Sequence, residues 1–315
     1  MTIENPPKGS WVLGYLAATG SSICVGLFFV SQKHAFVHLD PVSLSWLQMI
    51  VVLLLSVVAA VAIPTERRFP GPRVIPWLAL FGCSGCVVFG MRNVGIDLTN
   101  ATTGAVVVRT DVAMVMFLSF VVLKVKPDVF GWIGAVMLFV GAYLSLDIKL
   151  GSLNFTPWGT AALLASAAAI AINALIIKTK FGGVSNSLTV GASSLVQTVV
   201  FGVITVSTGA WPTVVASFSD PGVLHAVGLN ALFLFGGMFL YFQSMKLIPM
   251  WIARAIGLLV VPIAALADWI WLGSALTGGQ ILGLATVTIG AGMVIPCLVQ
   301  GSQRRASGAD GESAK

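Results

Sequence analysis

Three adjacent residues that can bear charge or hydrogen-bond, Arg109, Thr110 and Asp111, lie in the middle of a long apolar segment. Uncharged residues flank them on both sides over the rest of that segment. A charge at the centre of a bilayer costs about 2.5–3.5 kcal/mol on insertion scales, so a membrane helix carries one only where the side chain faces protein or water. The two opposite charges therefore predict a polar site inside a membrane-embedded helix bundle.

The spacing of Arg109 and Asp111 predicts that they do not pair with each other. Residues two apart point about 200° away from each other around a helix, and such neighbours do not interact. At least one of the two needs a partner on another helix. Arg254, near the start of a later apolar segment, is a candidate for Asp111, whereas Asp268 at the far end of that segment is predicted to be a wetted rim residue.

The role of these charges has two interpretations that the sequence leaves open. In the functional one, the guanidinium of Arg109 binds a carboxylate or phosphate through paired donors, and a desolvated Asp111 takes up and releases a proton. In the structural one, a buried Arg–Asp pair holds helices together and binds no solute. The full set of candidate substrate-binding residues is Arg109, Asp111, Thr110, Arg254, Asn173, Tyr241 and Gln243.

Two other patterns have a weaker claim to chemistry. Cys83 and Cys86 have a C-x-x-C spacing but lie inside an apolar segment, where small-residue packing explains them better than redox chemistry. His34 and His38 are four residues apart, and only His225 remains as a further histidine, so a metal site is not expected. We predict no metal, no cofactor and no enzyme activity, because no nucleophile with a base is recognisable.

The composition predicts which elements position these residues. Of the 315 residues, 57% are hydrophobic and 9% are charged, and the mean hydropathy is +0.98. Soluble domains are about 25% charged, so a water-soluble fold is excluded. The basic residues lie in short loops between apolar segments, so the net charge of +6 does not indicate nucleic-acid binding. We predict an all-α integral membrane protein with ten transmembrane helices at about 11–30, 41–63, 75–93, 100–123, 128–146, 156–177, 186–208, 222–245, 250–272 and 277–299.

The distribution of lysine and arginine predicts the orientation. If the N-terminus is cytoplasmic, twelve of the 17 basic residues fall on the cytoplasmic side and three (Lys33, Arg92 and Lys149) on the outside. Cytoplasmic loops are enriched in these residues, so both termini are predicted to be cytoplasmic in the cell membrane. The polar segment 300–315 is predicted to be a disordered cytoplasmic tail.

The two halves of the chain also resemble each other. When the sequence is shifted by 149 residues, Gly134 falls on Gly283 and Gly141 on Gly290, and the helix with Arg109 falls on the helix with Arg254. Each half contains five predicted helices, an odd number, so the second half must insert upside down. We therefore predict two inverted five-helix repeats, 11–146 and 156–299, an arrangement that in transporters places the substrate site at the repeat interface.

A repeated pattern carries a resemblance to a known family. A polar or small-residue entry, GIDLTNATTGAVV, leads into a long helix, then a brief charged turn, then G-x6-G in the next helix. The pattern resembles the EamA-type transporters of the drug/metabolite transporter superfamily, over residues 12–299. The resemblance implies ten helices in two inverted repeats around a central cavity, and movement of small organic solutes by alternating access, with export as the expected direction.

These observations predict a secondary transporter of a small organic metabolite. No nucleotide-binding motif is recognisable, so the energy is expected from a coupled proton or a counter-solute. An arginine in the pocket favours an acidic solute of the amino acid or organic acid class. The partners are then the solute and the lipid bilayer; the sequence does not define the oligomeric state. A non-transporting membrane scaffold or sensor is the alternative.

Overall fold

Helices make up nearly all of the computed structural model, which describes residues 10–35, 39–67, 71–99, 101–124, 129–146, 155–273 and 277–294. No strand occurs in those ranges. The α-helices of the described residues are α1 (Ser10–Ala35), α2 (Pro41–Ala62), α3 (Ile75–Leu98), α4 (Ala101–Val108), α5 (Thr110–Val121), α6 (Val129–Ser145), α7 (Pro157–Lys180), α8 (Asn186–Ser207), α9 (Trp211–Ser217), α10 (Pro221–Leu247), α11 (Met250–Ile256), α12 (Val260–Leu272) and α13 (Gly278–Val294). The 3₁₀ turns are Pro64–Arg67, Pro72–Val74 and Gly257–Leu259.

Most of these helices are long and apolar enough to cross a bilayer. Among the described residues there are seven such spans: Trp11–Gln32, Val42–Ala62, Pro72–Ile96, Pro157–Lys180, Asn186–Ser207, Pro221–Leu247 and Met250–Trp271. The helices α5, α6 and α13 are apolar but shorter. An all-helical, multi-pass membrane protein is thereby confirmed, whereas the number of ten spans remains a prediction. The predicted tail at 300–315 lies outside the described residues.

Side-chain caps define where several long helices begin. Asp40, Thr156, Ser185 and Asp220 precede α2, α7, α8 and α10, and each accepts a hydrogen bond from a backbone N–H of the first turn. Such caps satisfy N–H groups that have no partner within the helix. Proline follows Asp40, Thr156 and Asp220, and its fixed φ suits the first helical position. Each cap thus sets the start of a helix from local sequence alone.

Two predicted helices are interrupted in the structure. The helix predicted at 100–123 consists of α4 and α5, which the single residue Arg109 separates. The span predicted at 250–272 corresponds to Met250–Trp271, within which a 3₁₀ turn at Gly257–Leu259 separates α11 from α12. In addition, the helix predicted at 75–93 extends to Leu98, which places Arg92 inside α3 instead of in a loop.

The two halves of the chain pack on each other reciprocally. Adding 149 to the bounds of α6 gives those of α13, and the same shift places α4 on α11 and α3 on α10 within a few residues. α1 packs on α10, and the corresponding α7 packs on α3. Likewise, the contact of α1 with α12 corresponds to that of α7 with α5. The contact of α10 with α2 corresponds to that of α3 with α8. Contacts that repeat with the partners exchanged are typical of a two-fold relation.

Glycines bring α6 and α13 into close backbone contact. A Cβ atom at Gly134 would lie 3.0 Å from the carbonyl oxygen of Gly290, and one at Gly141 would lie 2.9 Å from that of Gly283. Only a residue without a side chain permits this approach, which is the usual role of small residues between membrane helices. The pairs are again reciprocal, because Gly134 corresponds to Gly283 and Gly141 to Gly290 under the shift of 149.

Candidate functional site

The interruption at Arg109 lies at the centre of the charged triplet. Arg109 has a ψ of −10°, away from the α-helical value of about −42°. The hydroxyl of Thr110 donates a hydrogen bond of 2.7 Å to the carbonyl oxygen of Val107, and the N–H of Val112 donates to that of Arg109 at 3.2 Å. The carbonyl oxygens of Val107 and Arg109 thus keep hydrogen-bond donors where the helix is interrupted. Inside a membrane, such backbone groups have to be satisfied within the protein.

The second interruption occurs at the corresponding place in the other half of the chain. Pro262 has no N–H and cannot bond to the carbonyl of Leu258, one turn earlier. The hydroxyl of Ser22, on α1, donates a hydrogen bond of 3.1 Å to the carbonyl oxygen of Ile256. Ile256 corresponds to Val107 under the shift of 149. Both breaks therefore have an equivalent carbonyl that accepts from a hydroxyl group.

An ion pair joins the two interrupted helices. Asp111, in the first turn of α5, is paired with the guanidinium of Arg254 on α11, and these two helices pack directly on each other. Asp111 is completely buried and the side chain of Arg254 is 17% exposed. The second carboxylate oxygen of Asp111 has no hydrogen-bond partner among the described residues. Asp111 therefore has an ionic partner on another helix, as the spacing of Arg109 and Asp111 predicts.

Arg109 faces a different environment from Asp111. It lines a small recess that has room for about one water molecule. The other lining residues are Phe139, Ala142, Tyr143, Leu146 and Leu258. Among the described residues no carboxylate pairs with Arg109. The guanidinium therefore borders this recess and is not engaged by a carboxylate of the described residues.

The remaining candidates divide into two groups. The ring of Tyr241 lies 5.8 Å from the guanidinium carbon of Arg254, and its hydroxyl is buried without a hydrogen-bond partner among the described residues. The side-chain oxygen of Asn173, on α7, is also buried and unpartnered in the described part of the chain. By contrast, the hydroxyl of Thr110 is occupied by the helix backbone. Gln243 accepts a hydrogen bond of 2.7 Å from Asn186 and belongs to a separate cluster.

That separate cluster ties three helix ends together. Lys246, at the end of α10, donates hydrogen bonds to Asn186 and to the carbonyl of Val184. Glu66, just after α2, accepts a hydrogen bond of 2.8 Å from the backbone N–H of Ser187. The charges of Glu66 and Lys246 attract each other. These contacts explain the position of Gln243 as part of a network that connects the ends of α2, α8 and α10.

The structure moves one charged residue from a predicted loop into a helix. Arg92, which was assigned to an outside loop, lies in α3 with its guanidinium carbon 4.7 Å from the centre of the Phe89 ring. The signal that could have found it is the uncharged character of residues 93–96, which allows the helix to continue for another turn. Arg92 therefore belongs to α3 and contacts an aromatic ring of the same helix.

Comparison with known proteins agrees with this architecture. The sequence model of the EamA-like transporter family matches residues 12–146. No curated protein matches the chain. Among the solved structures, 29 chains match; one, described only as a crystal structure of a protein, is 14% identical in sequence and has a TM-score of 0.72 over 91% of this chain and 98% of its own. At this identity the likeness concerns the fold alone.

The family match lies over the half of the chain that carries the interruption at Arg109. It confirms the resemblance deduced from the GIDLTNATTGAVV entry and the following G-x6-G helix. It also agrees with the apolar spans, which make the protein a multi-pass membrane protein. Residues 12–146 are therefore similar to the EamA-like transporter family of the drug/metabolite transporter superfamily.

Proposed function

We propose that the protein is a secondary transporter that moves a small organic metabolite, of the amino acid or organic acid class, across the cytoplasmic membrane by alternating access. The direction is export, and the driving force is a proton or a counter-solute. The observation that carries the proposal is the buried Asp111–Arg254 ion pair, which joins two interrupted helices beside the recess at Arg109. Broken helices with charged groups at the junction are a recurring form of transporter substrate site.

The proposed architecture is ten spans in two inverted five-helix repeats, 11–146 and 156–299, with both termini cytoplasmic. The shared helix bounds, the exchanged packing partners and the reciprocal glycine contacts of α6 and α13 support it. Both helix breaks occur at corresponding positions, at Arg109 and at Leu258, and both of these residues line the same recess. Rocking of one repeat against the other would open this recess to each side in turn.

The proposed roles of the site residues follow from their surroundings. Arg109 binds the acidic group of the solute through paired donors. Asp111 holds Arg254 in place and is the candidate proton carrier, because its second oxygen is unpartnered among the described residues. Asn173 and Tyr241 offer buried polar atoms that a bound solute would satisfy. Thr110 shapes the break, and Gln243 acts through the end cluster with Asn186.

A non-transporting scaffold or sensor is the second candidate, and one observation favours it. Since Arg254 already neutralises Asp111, the pair is able to act purely as a lock between α5 and α11. A lock of this kind would require neither solute movement nor a change in conformation. The two functions differ in whether any solute crosses the membrane.

Flux through reconstituted vesicles separates these functions. Purified protein in proteoliposomes is assayed for uptake and efflux of radiolabelled alanine, aspartate and succinate, with native protein compared with Arg109→Gln and Asp111→Asn. We expect flux with native protein and a loss of about tenfold or more in each variant, since a hydrogen bond to a charged group contributes about 1.5–3 kcal/mol. The control is Arg73→Gln, an exposed arginine outside the site, which should behave like native protein.

Two results would contradict the proposal in different ways. Native flux in both Arg109→Gln and Asp111→Asn would remove the site but leave a transporter. An absence of flux for every solute tested, with correctly folded and oriented protein, would favour the scaffold.

A further inference from the structure

Two lysines join the ends of α7 and α10 in opposite directions. Lys178, in the last turn of α7, donates hydrogen bonds of 2.8 Å to the backbone carbonyl oxygens of Met245 and Ile248, at the end of α10. Lys246, in the last turn of α10, donates to the carbonyl oxygen of Val184, just beyond the end of α7. Each lysine therefore binds carbonyl groups at the end of the other helix, where carbonyls lack partners within the helix and positive charges are favourable.

A side-chain contact with α8 reinforces these bonds. Asn186, at the start of α8, accepts a hydrogen bond from Lys246 and donates one of 2.7 Å to the side-chain oxygen of Gln243 on α10. Asn186 is almost completely buried, and hydrogen bonds to a charged group gain strength where water is scarce. We refer to Lys178 and Lys246 with their acceptors as the lysine latch. The latch holds the end of α10 to the end of α7 and to the start of α8.

The helices that the latch joins pack only lightly on each other. α10 packs mainly on α1, and α7 packs mainly on α3, whereas α10 has few contacts with α7 and α8. Little apolar surface would therefore be exposed if α10 moved away from α7 and α8. Since burial of apolar surface is the main term that holds packed helices together, the separation of these ends costs mainly the hydrogen bonds of the latch.

The latch also reaches the charged site through the link between α10 and α11. Ile248, whose carbonyl oxygen accepts from Lys178, has an extended backbone and directly precedes Pro249, where α11 begins. α11 carries Arg254, the ionic partner of Asp111. Release of Lys178 would therefore free the segment that positions Arg254.

The two halves of the chain differ at the position of the latch. Under the shift of 149, Lys178 corresponds to Phe29 and Lys246 to Asp97. A phenylalanine has no hydrogen-bond donor in its side chain, and an ionised aspartate accepts only. The lysine pair therefore belongs to one end of the bundle, the end where α7 and α10 stop and α8 begins. In the proposed topology this is the cytoplasmic end.

We propose that Lys178 and Lys246 form the inner gate of the protein. While both lysines hold the end of α10, the cytoplasmic end of the solute path is closed, and their release lets α10 and α11 move away from α7 and α8. The inference rests on the transport function proposed above and assigns residues to one of its conformational steps. The charged site responds to the gate because α11 follows α10 directly.

Hydrogen–deuterium exchange of the full-length protein in lipid nanodiscs tests this gate. Lys178→Met and Lys246→Met each remove the charged donors and keep an unbranched apolar side chain. We expect the backbone amides of residues 182–188 and 245–252 to exchange about tenfold faster in each variant, the effect of one lost hydrogen bond to a charged group. The amides of residues 221–228, at the opposite end of α10, should exchange as in native protein.

Lys180→Met is the matched control for the exchange experiment. Lys180 lies in the same last turn of α7, but its ammonium group is 4.5 Å from the centre of the Trp77 ring. The exchange of this variant should equal that of native protein. Lys178→Arg and Lys246→Arg retain charged donors and should keep most of the protection. If the methionine variants do not fold, Gln243→Leu, which removes one uncharged bond of the network, replaces them with a smaller expected increase at the same amides.

Flux in proteoliposomes is the second measurement. An inner end that does not close holds a transporter in one state, so both methionine variants should lose most of the solute flux, whereas Lys180→Met should retain it. Native exchange in both methionine variants would overturn the gate. An equal increase at both ends of α10 would overturn it as well, because a general loss of stability would then explain the result.

The two measurements together separate the failure of the gate from the failure of the transport function. If native protein moves a solute and the methionine variants neither exchange faster nor lose flux, the transporter stands and the gate is wrong. If exchange responds as expected but no solute crosses with native protein, the lysines control the end of α10 and the transport function is wrong.

Discussion

At the scale of single residues, the Asp111–Arg254 pair has the largest energetic consequence. Two buried ions gain little net stability from each other, because the cost of desolvation offsets their attraction. Removal of one partner is different, since it leaves the other charge buried without compensation. Asp111 is completely buried, so it has no access to water if Arg254 is lost. The two side chains should therefore be strongly coupled.

We predict that Arg254→Gln destabilises the protein by about 3–5 kcal/mol, the usual cost of breaking a buried pair. The double variant Arg254→Gln/Asp111→Asn should regain much of that loss, because no unpaired charge remains. Apparent melting temperature in detergent provides the measurement for the native protein, both single variants and the double variant. Additive losses in the double variant would show that the two residues are not coupled.

At the scale of elements, the contact of α6 with α13 illustrates how small residues determine helix packing. Gly283 lies so close to α6 that a Cβ atom there would be 2.6 Å from the carbonyl oxygen of Gly141. A backbone atom cannot move aside as a flexible side chain does. By contrast, a Cβ atom at Gly292, on the same helix, would meet nothing within 4 Å. The two glycines differ in their neighbours and not in their helix.

We predict that Gly283→Ala destabilises the protein by about 1–3 kcal/mol through overpacking. Gly292→Ala should be neutral or slightly stabilising, because alanine has the higher helix propensity. Thermal unfolding of the two variants side by side measures the difference, and flux in vesicles shows whether the packing of α6 on α13 affects transport. Equal melting temperatures for the two variants would refute the close contact.

At the scale of the whole molecule, the proposed inverted repeats require an odd number of spans in each half. Five spans in each half would bring the chain back to the side from which it started. In the proposed topology that side is the cytoplasm, because lysine and arginine are concentrated in one set of loops. Orientation thus connects the packing of helices with the distribution of charge along the chain.

We predict that reporter domains fused to either terminus both report a cytoplasmic position. A pair of reporters active on opposite sides of the membrane, attached in turn to each end, measures this. A fusion after α6, in the segment 147–154, should give the outside result because it follows the fifth predicted span. Termini on opposite sides would rule out ten spans and the inverted repeats with them.

The sequence by itself determined the class of protein, the approximate spans and the need for an inter-helix partner of Asp111. These properties are local: the length of an apolar segment decides whether it spans the bilayer, caps such as Asp40 decide where a helix begins, and a two-residue spacing separates Arg109 from Asp111. The tertiary structure decided that Arg254 is the partner of Asp111, that Arg92 lies within α3, and that Gln243 belongs to a separate cluster. It also decided that the helices break at Arg109 and at Gly257–Leu259. Partners and breaks depend on the rotation of each helix about its axis, which packing against other helices sets and which no single segment encodes.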